Sequence, residues 1–283
     1  MRLCRATRSG IVPRGFPNWP RRDSTSAVSR PIITQTMYTI VRGQTRSLHI
    51  PAPHILVLPG LQWGAFDTLL TPAFWRGQAW QCSLLGWYSD LRLGRTLTEE
   101  VIACVLGGYG MPAELGIAAF SRLRDDGLLH NHPDFVSIRR ALSTPFLVGK
   151  GERRYRFPQQ KARYVAACLE KLQSFQEPDD DLKLRDRLAS LPGVGLKTAS
   201  WITRNYRNSN KIAIIDIHIL RVGRILQLFP ADWTPIRHYR KLEERFLAFA
   251  NAIETPAGLL DGVMWDHLRR LPLSVINARP AVN

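Results

Sequence analysis

The chain has 283 residues, enough for a sizeable buried core in one or two domains, and 39 Lys plus Arg against 23 Asp plus Glu leave a net charge of +16. A balance this basic points to a polyanionic partner, nucleic acid or an anionic membrane face, with a merely soluble basic enzyme as the plainer reading. No apolar run approaches the length of a membrane span. Four cysteines without a CxxC pair argue for a reducing compartment and against a zinc site or an iron–sulfur cluster.

Residues 1–36 carry seven arginines, no lysine and one acid, Asp23. With Pro13, Pro17, Pro20 and Pro31 and no periodicity, they are expected to be disordered. Lacking an apolar central stretch, they are not a secretory signal. They fit a mitochondrial presequence or a translated upstream region with Met37 as the first residue, the second being favoured. The fold is expected to occupy residues 37–283.

From Met37 to Leu61, MYTIVRGQTRSLHIPAPHILVLPGL offers the only plausible strands, both short, and beyond about residue 61 the chain reads as helices. LTEEVIACVL opens with Thr96 and Glu99 at capping-box spacing. PAELGIAAFSRLRDDGLL follows, with Pro112 suited to a first helical turn. FPQQKARYVAACLEKLQSF alternates basic and apolar faces at helical period, and DLKLRDRLASL, LKTASWITRNY and IHILRVGRILQLF come next. In RHYRKLEERFLAFANAI, Tyr239, Leu242, Phe246 and Phe249 form one stripe expected to face the core, and GLLDGVMWDHLRR is the last helix. Trp63, Trp75, Trp80 and Trp87 are also expected in the core. The class is all-α, a compact bundle of about eight to ten helices with a short extended N-terminal addition and no internal repeat.

The stretch LASLPGVGLKTASWI, residues 188–202, joins two of these helices through Leu191-Pro-Gly-Val-Gly195. Glycines leave backbone N–H groups unshielded, and at a helix start the dipole also favours an anion. Gly193, Val194 and Gly195 are therefore expected to grip a backbone phosphate without reading sequence. An ordinary helix–helix corner is the plainer reading. Lys197 sits in the first turn of the second helix, where a positive charge is least welcome. Partial burial would push the same way, leaving a fraction of neutral, nucleophilic amine. Asp216 follows nineteen positions later. A helix from Leu196 to about Tyr206 rises ~15 Å. Residues 207–216 reach up to about 33 Å, enough to bring Asp216 back to the helix start as the N-cap of IHILRVGRILQLF.

LPGVGLKTASWI followed by IAIIDIHILR resembles the helix-hairpin-helix DNA glycosylases, and most closely their 8-oxoguanine DNA glycosylase branch, because a lysine follows the G-V-G-x of the hairpin. The resemblance spans residues 97–270. It implies that Lys197 attacks C1′ of the damaged nucleotide, releases the base and permits strand cleavage by β-elimination. It implies that Asp216 stabilises the developing sugar cation and assists proton movement, and that His218 touches the DNA backbone. On the last helix, Asp261 and Trp265 at i and i+4 share one side, and the resemblance makes them a polar base reader and a stacking aromatic. An ionised Asp accepts only, which suits the N1–H and N2–H₂ donors of a guanine edge. The loop GGYGMP, residues 107–112, falls where the family inserts a wedge, with Tyr109 or Met111 as the side chain that fills an unstacked step.

The expected partner is duplex DNA with a modified base, bound by a monomer in the cytoplasm, nucleoid-associated in a bacterium. No small-molecule cofactor is expected, and the resemblance leaves room for a monovalent cation at the hairpin. Two alternatives stand beside 8-oxoguanine excision. One keeps the chemistry but takes a bulky modified pyrimidine, such as hypermodified cytosine of viral DNA, in a defence role. The other is a non-catalytic hairpin module that only binds DNA.

Overall fold

The computed structural model describes residues 34–88, 90–108, 110–130 and 134–277. The arginine-rich extension lies outside the described residues, except that its last three positions belong to a strand. β1 (Thr34–Val41) pairs antiparallel with β2 (Gln44–Pro51), with Gln35 opposite Ile50 and Thr36 opposite His49. The folded region therefore includes Thr34, Gln35 and Thr36. Gln35 explains this, because its amide donates to Pro51 O and Gly64 O and accepts from Phe66 N–H. Arg42 and Gly43 both take positive φ at the turn, the twist that matches a tight hairpin.

Short β3 (Leu56–Leu58) and β4 (Leu61–Gln62) follow, so helix begins not near residue 61 but with α1 (Pro72–Leu84). Then come α2 (Leu97–Leu106), α3 (Ala113–Asp125) and α4 (Phe135–Ser143). A further hairpin, β5 (Phe146–Val148) and β6 (Gly151–Arg153), lies where no strand was expected. The chain closes with α5 (Pro158–Leu172), α6 (Asp181–Leu188), α7 (Leu196–Arg207), α8 (Ile217–Ile225), α9 (Pro235–Ala252), α10 (Ala257–Leu268) and short α11 (Leu273–Asn277). No described helix is long and apolar enough to cross a membrane.

Local chemistry sets the helix starts. Thr96 Oγ1 accepts from Glu99 N–H at 3.2 Å, but the glutamate returns its bond to Arg95 N–H, one residue before the expected partner. Thr71, Asp134 and Asp180 cap α1, α4 and α6, each satisfying an amide the helix cannot.

Two apolar clusters organise the packing. The first joins α2 to α7 through Val101, Leu106, Phe120, Ile138, Val165, Leu188, Ala199 and Ile202. The second joins β2, α1, α8, α9 and α10 through Ile50, Trp75, Ile215, Ile219, Leu242, Phe246, Phe249 and Leu260. Trp63 and Trp75 are buried there, whereas Trp87 is 58% exposed, contrary to the core position expected for it. Helix α7 serves both clusters: Ala199 and Ile202 belong to the first, and Leu196 packs against the second. The start of α7 therefore lies on the seam between the two halves.

Candidate active site

The link between α6 and α7 is two overlapping turns, with Leu191 N–H donating to Leu188 O and Val194 N–H to Leu191 O. Gly193 holds φ +73°, and a Cβ there would fall 2.4 Å from the Tyr164 ring on α5. Only glycine meets both demands. Val194 departs from the expected phosphate grip: its side chain is buried in the first cluster and its N–H is spent on Leu191. Gly193 and Gly195 are exposed. Gly195 occupies the N-cap of α7 with no side chain to take the first-turn amides, which leaves them at the positive end of the helix dipole.

Lys197 is half-buried in that first turn. At 3.6 residues per turn, Ser200 and Arg204 lie to one side of it, at about 60° and 20°, while Trp201 and Asn205 lie to the other, at about 40° and 80°. Those flanks face different halves of the molecule. Asn205 Nδ2 donates to Glu100 Oε1 on α2 at 2.9 Å, and Trp201 packs on the end of α2, where a Cβ on Gly107 would meet its ring at 2.9 Å. On the opposite flank, Ser200 Oγ donates to Glu243 Oε1 of α9 at 3.3 Å, and Arg204 pairs with Asp261 of α10 at 3.0 Å.

The same two carboxylates hold the chain that delivers Asp216. Glu243 Oε1 also accepts Ala213 N–H at 3.2 Å, and Asp261 Oδ2 accepts Ile214 N–H at 3.2 Å. Tyr239 Oη donates to Ala213 O and accepts from Ile215 N–H. After α7 the chain turns at Asn208 (φ +49°), and Ser209 N–H bonds back to Arg204 O. Residues 209–216 are thus tied to α7 at Arg204 directly and through Asp261, and at Ser200, one turn from Lys197, through Glu243. Asp216 arrives as the N-cap of α8, its Oδ1 accepting His218 and Ile219 N–H at 2.9 Å each. Ile215 and Ile219, on either side of it, are buried in the cluster that Leu196 touches.

Asp261 stands differently from the open base reader expected. It is 2% exposed, and its two oxygens are engaged by Arg204 and Ile214 N–H. Its carboxyl is raised to about 6: burial pushes it up most, Arg204 and the Ile214 amide pull it down, and the Asp216 charge adds to the rise. A carboxylate committed this way holds the segment before Asp216 in place. Trp265, one turn on, is half-buried, with the Arg269 guanidinium 4.7 Å over its ring. Arg269 continues to Glu114 at the start of α3 (3.6 Å), bridging the two halves beside the loop that precedes that helix. In that loop Met111 is half-buried against the first cluster, and Tyr109 lies outside the described residues. His218 is half-buried, its backbone bound to Asp216.

Two neighbours of Lys197 in the fold were not expected from the sequence, nor was the contact of Lys161 on α5, whose Nζ donates to Val105 O and Gly107 O at the end of α2. Trp201 had a usable signal, the i+4 spacing from Lys197 that puts it on the same face. Glu243 was hidden in a charged-looking face of α9, and Lys161 in the basic face of α5. An open hollow lined by Phe135, Arg163, Glu170 and Gln173 lies on α4 and α5, away from the seam.

The chain is similar to known proteins. A family model described as 8-oxoguanine DNA glycosylase matches residues 92–255, more than half of the chain. An 8-oxoguanine DNA glycosylase/AP lyase of Metallosphaera sedula is 33% identical over 192 residues, covering 62% of this chain and 86% of that protein. One of Saccharolobus solfataricus is 32% identical over 123 residues, covering 40% and 58%. The crystal structure of the 8-oxoguanine DNA glycosylase of Thermotoga maritima superposes with a TM-score of 0.56 at 24% identity, over 72% of this chain and 98% of that one. At that identity the likeness speaks for the fold alone.

Proposed function

The chain belongs to the 8-oxoguanine DNA glycosylase family, and from that premise we propose that it excises 8-oxoguanine from duplex DNA with Lys197 as nucleophile and Asp216 as its partner carboxylate. One observation carries the assignment of residues. Glu243 and Asp261 each bind both α7, which bears Lys197, and the segment that leads into Asp216.

The Lys197 amine attacks C1′ of an extruded nucleotide. The C1′–N bond breaks, and the base leaves with the bonding pair and a proton. Asp216, fixed by two backbone amides, lies where positive charge grows on the sugar, and it takes and returns the protons that the lysine gives up. The C1′–O4′ bond of the resulting aminal then opens, O4′ taking a proton, to give a Schiff base; this loses a 2′ proton as the C3′–O bond breaks and the 3′ phosphate leaves with the bonding pair. That second step is the lyase activity. The uncapped amides after Gly195 suit a DNA phosphate, and the positive chain supplies the remaining attraction. Both reacting groups come from a single chain, so a monomer suffices, and the steps as written call for no small-molecule cofactor. Trp201, a flat wall one turn from Lys197, is suited to face the extruded base.

Release of free 8-oxoguanine from a duplex, followed under single-turnover conditions, tests the reading. Lys197→Gln is expected to abolish release and Asp216→Asn to slow it by about 10²-fold or more. Undiminished release by either variant would contradict the assigned roles.

A further inference from the structure

The last turn of a helix leaves carbonyls without intrahelical partners, and α2 ends where the loop of residues 107–112 begins. Those carbonyls are taken by side chains from one short stretch, residues 155–161. Tyr155 Oη donates to Leu106 O at 2.5 Å, and Lys161 Nζ donates to Val105 O at 2.6 Å and Gly107 O at 3.2 Å. Arg156 Nη1 reaches further along the loop, to Gly110 O at 3.0 Å. Among the described residues of the loop, two are glycines with positive φ. Gly108 and Gly110 take φ +94° and +69°, and Met111 N–H donates to Gly108 O. It is nonetheless tightly sited. Gly107 is pressed against Trp201 on one side, and Gly116 of α3 approaches its Cα so closely that an added Cβ would lie 3.3 Å away.

The clamp also sits close to the chemistry. Lys161 has its pKa lowered by burial and secondarily by the neighbouring charge of Lys197. Trp201, against which the clamped loop leans, is one helical turn from Lys197. Removing a base from a stacked duplex leaves a gap that something rigid must hold open. A loop rich in glycine cannot do so unless it is braced from outside.

We propose that Tyr155, Arg156 and Lys161 are positioning residues that brace the loop after α2 as a stiff arm beside the lysine-bearing helix, so that the enzyme can hold a duplex open around an extruded base. The inference rests on the glycosylase reading above. It assigns these side chains to duplex opening and not to the covalent step.

The test compares two substrates on the full chain. One is a duplex containing 8-oxoguanine, assayed for single-turnover excision. The other is a single-stranded oligonucleotide with a preformed abasic site, assayed for borohydride trapping, which requires no base extrusion. Lys161→Met should lose about tenfold or more on the duplex, since small misplacements near a reacting centre are that costly, while trapping on the single strand stays within about twofold. Lys161→Arg, which keeps a donor, should recover most of the loss. Arg156→Gln changes an exposed side chain and should show the same selective loss in milder form, so it carries the test alone if Lys161→Met fails to fold. Parallel losses on both substrates would overturn the proposal in favour of a direct effect on Lys197, and undiminished duplex activity would overturn it outright. A wild-type protein that traps on neither substrate would instead remove the glycosylase reading and the proposal with it.

Discussion

Ser200 Oγ donates to Glu243 Oε1 at 3.3 Å, and the same oxygen accepts Ala213 N–H at 3.2 Å. A single buried oxygen on α9 thus binds the helix of Lys197 to the segment of Asp216. The other oxygen, Oε2, pairs at 2.6 Å with Arg185, which ties in the first helix of the hairpin. Glu243→Gln keeps an acceptor but removes the charge facing a buried guanidinium. We expect a loss of about 2–4 kcal/mol, read from chemical denaturation, with excision falling along with stability. A change below about 0.5 kcal/mol would show that the ion pair does not hold these elements.

The hairpin glycines are predicted to differ. Gly193→Ala forces a side chain into positive φ and into the Tyr164 ring, so a loss of about 2–4 kcal/mol is expected. Gly195 has an ordinary extended φ of −93° and open space around its missing Cβ. Its alanine variant should melt within about 0.5 kcal/mol of wild type, and any weakening of DNA binding it shows then reports on the phosphate contact. Equal melting losses in the two variants would contradict this account of the turn.

Asp261 gives a pH signature. Its carboxyl is pushed up from 3.8 to about 6, chiefly by burial. A carboxyl raised on folding adds stability below its unfolded value and loses that stability as pH rises through the folded value. The stability of wild type relative to Asp261→Asn should therefore fall between about pH 4 and about pH 6 and level off above. Urea titrations of both proteins across that range measure the difference directly, and a rising difference would mean that Arg204 dominates burial.

Much of this site was legible in the sequence because its signals are local. Pro192, Gly193 and Gly195 punctuate two helical patterns, and Asp216 stands before a clean apolar stripe, so hairpin and cap follow from neighbours in the chain. The role of Asp261 was not legible. Its burial depends on Arg204 and on the amide of Ile214, far away in sequence, and a carboxylate beside an aromatic on a helix reads equally well as exposed. The β5–β6 hairpin escaped because three-residue strands around Gly149-Lys150 carry too little alternation to register as a pattern. Helix α4, nine residues long and capped by Asp134, was not singled out either, although Ile138, Ala141 and Leu142 stand at helical spacing. Val194 shows the reverse error. The motif drew attention to its backbone, while the fold uses its side chain as an anchor.

The central claim is that Lys197 forms the covalent bond to DNA. Borohydride reduction during reaction with a duplex containing 8-oxoguanine, followed by peptide mapping of the adduct, tests it most directly. A cross-link on Lys197 is expected, one that disappears in Lys197→Gln while the folded state persists. An adduct of equal yield in that variant, or one mapped to another lysine, would contradict it.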